Sequence, residues 1–505
     1  MPGSCRWSTV STDLSVYGSG WYARHSAARP AEDRLLSAVD LLIAGAGPAG
    51  MSAAITARRH GLSVMVIDDQ AGPGGQIWRS IENSERRHEI LGPSYVEGRA
   101  VAETFRASGV VYRPGAQLWQ IEAGFKVFVS QEGKAEVIRA GAVILATGAQ
   151  ERPVPFPGWT LPGVLTVGAA QILLKNAGQI PSGPTWIAGS GPLPLLYATQ
   201  LLRAGGTLEG YLDTTPPGRW KNAMRHLPGA LRASGDLLKG VGWMASLRRS
   251  TTRVISGVSD IAALGTTHVE GLRYRTGNGA EREVATSTLL IHEGVVPNVH
   301  AAMSLGCVTE WNEAQDCFVP VLDAWGETSM PSLFVAGDGA GIAGARAAQC
   351  RGELSALRVA AQLFRLPIAQ AERDAQSIRK RLARELAPRP FLDAMFKPRP
   401  QVFEPADDAI ICRCEEITAG QIRTLALVGR PGPNQIKAAT RTGMGPCQGR
   451  QCAYTVTRLL ATAQGRTPAD VGFNRIRPPL KPVTLGELAS LDRGKACASL
   501  DKGKA

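Results

Sequence analysis

The chain has 505 residues, 44% of them apolar and 20% charged, an ordinary balance for a globular protein of two or three domains and not that of a disordered or fibrous chain. No apolar run approaches the roughly 18 residues of a membrane-crossing helix, so a spanning segment is excluded. The net charge of +13, with a basic run between Arg373 and Arg399, favours an acidic partner surface or an anionic membrane face; aromatics do not interleave with that run, which argues against nucleic acid.

Residues 1–38 contain Arg6, Arg24, Arg29 and Arg34 but lack the apolar core of a secretory signal, and read as a loose N-terminal extension. Asp40 to Ala44 reads as a strand, Met51 to His60 as a helix and Ser63 to Ile67 as a second strand, together a βαβ unit. Between the first strand and the helix stands Gly45-Ala-Gly47-Pro48-Ala49-Gly50. Gly45 permits the tight turn, Gly47 lets backbone reach a pyrophosphate, and Gly50 lets the helix pack closely on the sheet. The helix N-terminus offers free N–H groups to the phosphates. Asp68, 18 residues past Gly50, ends the next strand where a carboxylate can bond ribose hydroxyls, with Asp69 the lesser alternative.

Two further features favour FAD over NAD or ATP held as a structural nucleotide. Pro73-Gly-Gly75-Gln76 can bring backbone close to a flat ring system. Far downstream, the strand Leu333 to Ala336 ends in Gly337-Asp338 before a helix-opening segment, where an Asp can bond a ribityl chain and a positive helix end can face a flavin. The run Ala142 to Ala146, ending in Thr147-Gly148, reads as another strand of the same sheet.

A second strand–glycine–helix–strand unit spans Thr185 to Asp213, but in Gly189-Ser-Gly191-Pro-Leu-Pro194 a proline replaces the third glycine. Its ring adds bulk at the helix–strand contact and removes an N–H. Both a vestigial domain and a working NAD(P)H site stay open here. Cys307, Cys317 and Cys350 form no Cys-x-x-Cys pair, so disulfide-reductase chemistry has no carrier and these thiols read as packing. His292 likewise reads as packing, and no side chain presents itself as a catalytic base.

Prolines between Pro388 and Pro400 mark a linker before a small cysteine-bearing domain. Cys412-Arg-Cys414 and Cys447-Gln-Gly-Arg-Gln-Cys452 supply four thiolates, enough for a [2Fe–2S] cluster, while neither pair has the Cys-x-x-Cys spacing usual for zinc. Gly443, Gly445 and Gly449 let backbone N–H groups approach the sulfurs. The remainder, with Pro478, Pro479 and Pro482, reads as an extended surface tail, its last dozen residues disordered.

The fold class expected is therefore α/β: two nested Rossmann-type nucleotide-binding domains and a small C-terminal helical [2Fe–2S] domain. The divisions are an FAD domain over 39–165 and 290–370, a degenerate NAD-type domain over 166–289, a linker over 371–405, the cluster domain over 406–465 and the tail over 466–505.

The stretches Ala146 to Val164, His292 to Asn298 and Thr442 to Arg450 resemble the α subunits of opine (octopine or nopaline) oxidases, with similar D-hydroxyproline dehydrogenase and hydrogen cyanide synthase subunits. The C-terminal domain is similar to bacterioferritin-associated ferredoxin, although that protein pairs its second two cysteines as Cys-x-x-Cys. This resemblance implies an oxidoreductase acting on CH–NH donors. It implies a partner β subunit of D-amino-acid-oxidase fold carrying its own FAD and the substrate, a small third subunit, an FMN between subunits in some relatives, and electrons leaving toward a respiratory acceptor. The location implied is cytoplasmic or peripheral to the inner membrane. Two competitors remain at this point, a free-standing NAD(P)H-dependent flavin reductase and a non-catalytic iron–sulfur sensing or storage module.

Overall fold

The first strand, β1 (Ser37–Ala44), feeds helix α1 (Pro48–Arg59), which returns to β2 (Val64–Asp68). Every residue of β2 is buried, as expected of a strand covered on both faces. Pro48 sits at the first helical position, where its missing N–H costs nothing. The computed structural model describes residues 37–83, 87–277 and 279–491. Residues 1–36 of the N-terminal extension, Cys5 among them, and the last fourteen residues of the tail, with Cys497, lie outside the described residues, while Ser37 and Ala38 open β1.

Strands β3 (Val111–Pro114), β4 (Gln117–Glu122), β5 (Lys126–Gln131) and β6 (Lys134–Leu145) complete a sheet ordered β3-β2-β1-β6-β5-β4, with Leu333–Val335 pairing parallel to β6. Residues nearly two hundred positions apart in sequence thus add the last strand to the first domain. A second, parallel sheet runs in the order Arg253–Ser256, Gly210–Asp213, Thr185–Gly189, Thr288–His292, Val164–Thr166. An antiparallel three-stranded sheet from 258 to 285 packs beside it through Ile261, Leu272 and Tyr274. The cysteine domain has a short hairpin, Ile410–Cys412 with Ile417–Thr418, and three helices, Ala419–Ala426, Pro433–Thr440 and Ala453–Gln464, around Ile411, Ile422, Ile436 and Leu460. Among the described residues no helix is long and apolar enough to cross a membrane.

Two segments differ from the sequence reading. The linker of 371–405 is largely helical: Ile368–Leu386 packs Ala371, Ala375 and Ile378 into the main core beside the helix Ala345–Gln362, and Arg389–Met395 follows. That narrow stripe at helical spacing is hidden in the sequence by the arginines of the opposite face. The tail is extended over 473–482, but it is not solvated. Ile476 and Leu480 are buried in the core of the first sheet, and Leu480 N–H donates to Trp119 O at 2.7 Å.

Close backbone approach holds the first domain together. A Cβ on Gly50 would stand 1.8 Å from Gly45 O, and one on Gly352 would stand 2.1 Å from Ala49 O, so α1 lies flush against both the sheet and the helix Ala345–Gln362. Gly352→Ala should therefore cost about 1–3 kcal/mol through overpacking and lower flavin retention as the glycine loop is pushed aside. Thermal unfolding and flavin content check this, and a parent-like melting curve with full flavin would contradict it.

Candidate functional site

The glycine loop borders a cavity of about 320 Å³. Gly45, Gly47, Pro48 and Ala49 line it together with Asp68, Asp69, Gly75 and Gln76 and with Thr147, Gly148, Gly337 and Asp338. Gly50 lies beneath, packed on Gly45. A Cβ on Gly75 would come within 2.8 Å of Gly47 Cα, so the two loops that flank the cavity touch through hydrogen atoms alone. The cradle fits a dinucleotide whose pyrophosphate meets the N-terminus of α1.

Asp68 is buried, and its carboxylate accepts from Ala46 N–H at 2.6 Å and Gln70 N–H at 2.9 Å. It thereby fixes the glycine loop while keeping lone pairs for a ribose. Burial pushes its pKa up to about 6 against those hydrogen bonds. Asp69 faces outward and pairs with Lys481 of the tail. Asp338 accepts from Ala343 N–H at 2.9 Å and Gly344 N–H at 3.0 Å, holding the turn that opens the helix Ala345–Gln362.

A larger chamber of about 780 Å³ adjoins this cavity, sharing Gln76, Ile77, Ala149 and Val295 with it. Its walls are mainly apolar, with Trp159, Trp243, Leu193 and Leu196, and Arg413 and Gln451 reach it from the cysteine domain. At its inner end Lys175 Nζ donates to Gln76 O at 3.0 Å and to Gln171 Oε1 at 2.9 Å. Burial, with Arg79 nearby, lowers the Lys175 pKa to about 7. His292 Nδ1 lies 2.7 Å from Glu151 Oε1, and the other oxygen of Glu151 accepts from Gly168 N–H at 2.9 Å. His292 is thus held by its hydrogen bond to Glu151.

The four C-terminal cysteines come together. Cys412 hydrogen-bonds Cys452, and Cys414 hydrogen-bonds Cys447. The bond with Cys452 holds Cys412 down at about 5 against the push of burial, helped by backbone N–H groups of Gly443, Glu415 and Cys414. Cys452 moves well above its usual value for the complementary reason, together with burial and the three other sulfurs. Among the described residues no three His, Cys, Asp or Glu side chains converge on a single metal position. The thiols fall into two pairs instead, Cys412 with Cys452 and Cys414 with Cys447. A Cβ on Gly445 would sit 2.3 Å from Cys414 Cβ, so only glycine admits that cysteine.

The loop carrying Cys447 is bound directly to the cavity. Arg450 lines the cavity, its guanidinium donates to Cys447 O at 3.1 Å and Leu480 O at 2.9 Å, and its own carbonyl accepts from Gln150 Nε2 at 2.7 Å.

The second glycine loop is covered by the chain itself. The ring of Phe396 stands 4.0 Å from where a Gly191 side chain would begin, and Arg219 donates to Pro398 O at 3.2 Å. Arg399 anchors this segment through a fully buried pair with Glu293 at 2.8 Å. Cys307, Cys317 and Cys350 are buried thiols raised by that burial, Cys317 to about 12.

The sequence reading missed Lys175, Arg450, Phe396 and Lys481 as site residues. Arg450 and Lys481 lie in segments whose composition had stood out; Lys175 and Phe396 carry no local signal, since their positions depend on tertiary packing.

Comparison with known proteins agrees with this geometry. Residues 39–354 match the pyridine nucleotide-disulphide oxidoreductase family, and residues 411–491 match the sarcosine oxidase A3 domain. An opine oxidase subunit of Agrobacterium tumefaciens (strain Ach5) is 46% identical over 466 residues, 90% of this chain and 92% of that protein. Hydrogen cyanide synthase subunit HcnB of Pseudomonas protegens is 30% identical over 90% of this chain and 98% of its own length. L-proline dehydrogenase from P. horikoshii shares the fold with a TM-score of 0.66 at 19% identity, covering 89% of this chain and 79% of that one.

Because the folded state holds Lys175 with a lowered pKa, the unfolded chain binds the extra proton between about pH 7 and 10, and this residue makes stability rise with pH across that window. Lys175→Met should flatten that slope, as read by denaturant unfolding at several pH values; an unchanged slope would refute the assignment. With Phe396 over Gly191, NADH mixed with the isolated chain should neither bleach a bound flavin rapidly nor quench tryptophan saturably, and tight quenching would contradict a filled loop.

Proposed function

This chain belongs to the pyridine nucleotide-disulphide oxidoreductase family, and within it to the group that holds the matching opine oxidase subunits; from that premise we propose that it is the FAD- and [2Fe–2S]-bearing electron-transfer subunit of a heteromeric dehydrogenase that oxidises a C–N bond of an amino acid or opine. When bound, the flavin takes electrons in pairs and the cluster passes them on singly. Relatives named as subunits support a partner that supplies the substrate site.

The residues divide that work. Gly45, Gly47, Pro48 and Ala49 with Gly75 bind the pyrophosphate and admit the ring, Gly50 sets α1 on the sheet, Asp68 and Asp69 serve the ribose end, and Gln76, Thr147, Gly148, Gly337 and Asp338 surround the ring end. Cys412, Cys414, Cys447 and Cys452 hold the cluster. The single observation that carries the reading is Arg450, which lines the dinucleotide cavity and hydrogen-bonds the carbonyl of Cys447. The loop that carries two of the four cysteines thus also reaches the wall of the dinucleotide cavity. The covered second glycine loop argues against NAD(P)H as donor, and the respiratory acceptor is what the resemblance to opine oxidase subunits implies. An FMN between subunits, as in some relatives, would add a step outside this chain.

Protein purified without oxygen should be yellow and carry about two irons per chain. Cys452→Ser should lose the iron and keep the flavin. Colourless or iron-free parent protein would refute the proposal, and so would a flavin that an amino acid or opine fails to bleach even with the partner subunit present.

A further inference from the structure

Asn474 is buried to 6% exposure, and neither the nitrogen nor the oxygen of its carboxamide has a hydrogen-bond partner. A buried amide left unpaired is disfavoured strongly enough that native proteins nearly always provide it with one. Its neighbours explain why it cannot turn to solvent. Phe473 is held edge-on by His300, Phe318 and Tyr454, with ring centroids 6.0, 5.5 and 5.1 Å away. On the other side, Arg475 N–H donates to Asn434 Oδ1 at 2.8 Å.

The amide is directed at the cysteine loop. Nδ2 lies 3.0 Å from where a Cβ on Gly449 would stand and 3.4 Å from the same point on Gly443. Both glycines have positive φ, 83° and 84°, so the loop turns its backbone, without side chains, toward Asn474. Gly449 stands between Cys447 and Cys452, and Gly443 lies four residues before Cys447 in the same loop.

We propose that Asn474 donates from Nδ2 to a sulfur of the iron–sulfur centre held by this loop and thereby raises its reduction potential. The inference rests on the cluster reading above and goes beyond its four ligands. A donor to sulfur stabilises the reduced, more negative state more than the oxidised one, so its removal must lower the potential.

The test is a redox titration of the oxygen-free holoprotein followed by electron paramagnetic resonance, with iron and flavin content measured in parallel. Asn474→Leu keeps the size with neither donor nor charge; Asn474→Ala removes the bulk as well. Each should retain iron yet shift the reduction equilibrium about tenfold toward the oxidised state, ~59 mV for one electron, with altered g-values. Parent-like potential and spectrum at full iron content would overturn the proposal. Lost iron or a lower melting temperature, with the remaining centre unshifted, would also overturn it and assign Asn474 a structural role. If the alanine variant fails to fold, the leucine variant decides. An iron-free parent would remove the cluster reading itself, whereas an iron-loaded parent with indifferent variants removes this inference alone.

Discussion

The cysteine domain keeps a fixed place beside the dinucleotide cavity, and the strap of chain that follows its last helix does much to hold it there. After the last helix of the cysteine domain, the backbone inserts Phe473 among three aromatic rings and then buries Ile476 and Leu480 in the core of the first sheet. Each apolar side chain of that size contributes about 1.5–3 kcal/mol when buried, so the small domain is not free to swing. Arg450 and Gln150 join the facing loops in the same direction. Release the strap, and the cysteines would keep their own fold but lose their relation to the dinucleotide cavity.

The two glycine loops show how similar sequences serve different ends. At the first, every close approach of backbone to backbone leaves the N-terminus of α1 open to a phosphate. At the second, Pro194 sits in the first turn, and Phe396 and the buried Arg399–Glu293 pair hold a later segment over the loop. Such a buried ion pair is weak support for stability by itself, but it fixes where the covering segment lies. The second domain also forms part of the wall of the chamber beside the flavin cavity, through Leu193 and Leu196.

Much of this was readable in advance, because the informative features are local. Glycine spacing after an apolar strand and an acid at the next strand end each mark the dinucleotide fold within a few residues. The residues that escaped notice act at a distance. Lys175 looks like any helical lysine until Gln171 and Gln76 meet it inside the chamber. Phe396 gains its role only when its segment folds back over a loop two hundred positions earlier. The supposed linker was misjudged because arginines outnumber the three small apolar residues that bind the helix Ile368–Leu386 to the core. The tail was misjudged because its prolines signal extension truly but say nothing about burial.

The contact between Lys481 and Asp69 ties the strap to the rim of the dinucleotide cavity, beside the acid at the end of β2. Leu480 and Lys481 line that cavity themselves, so the segment that seats the small domain is also part of the cofactor's wall.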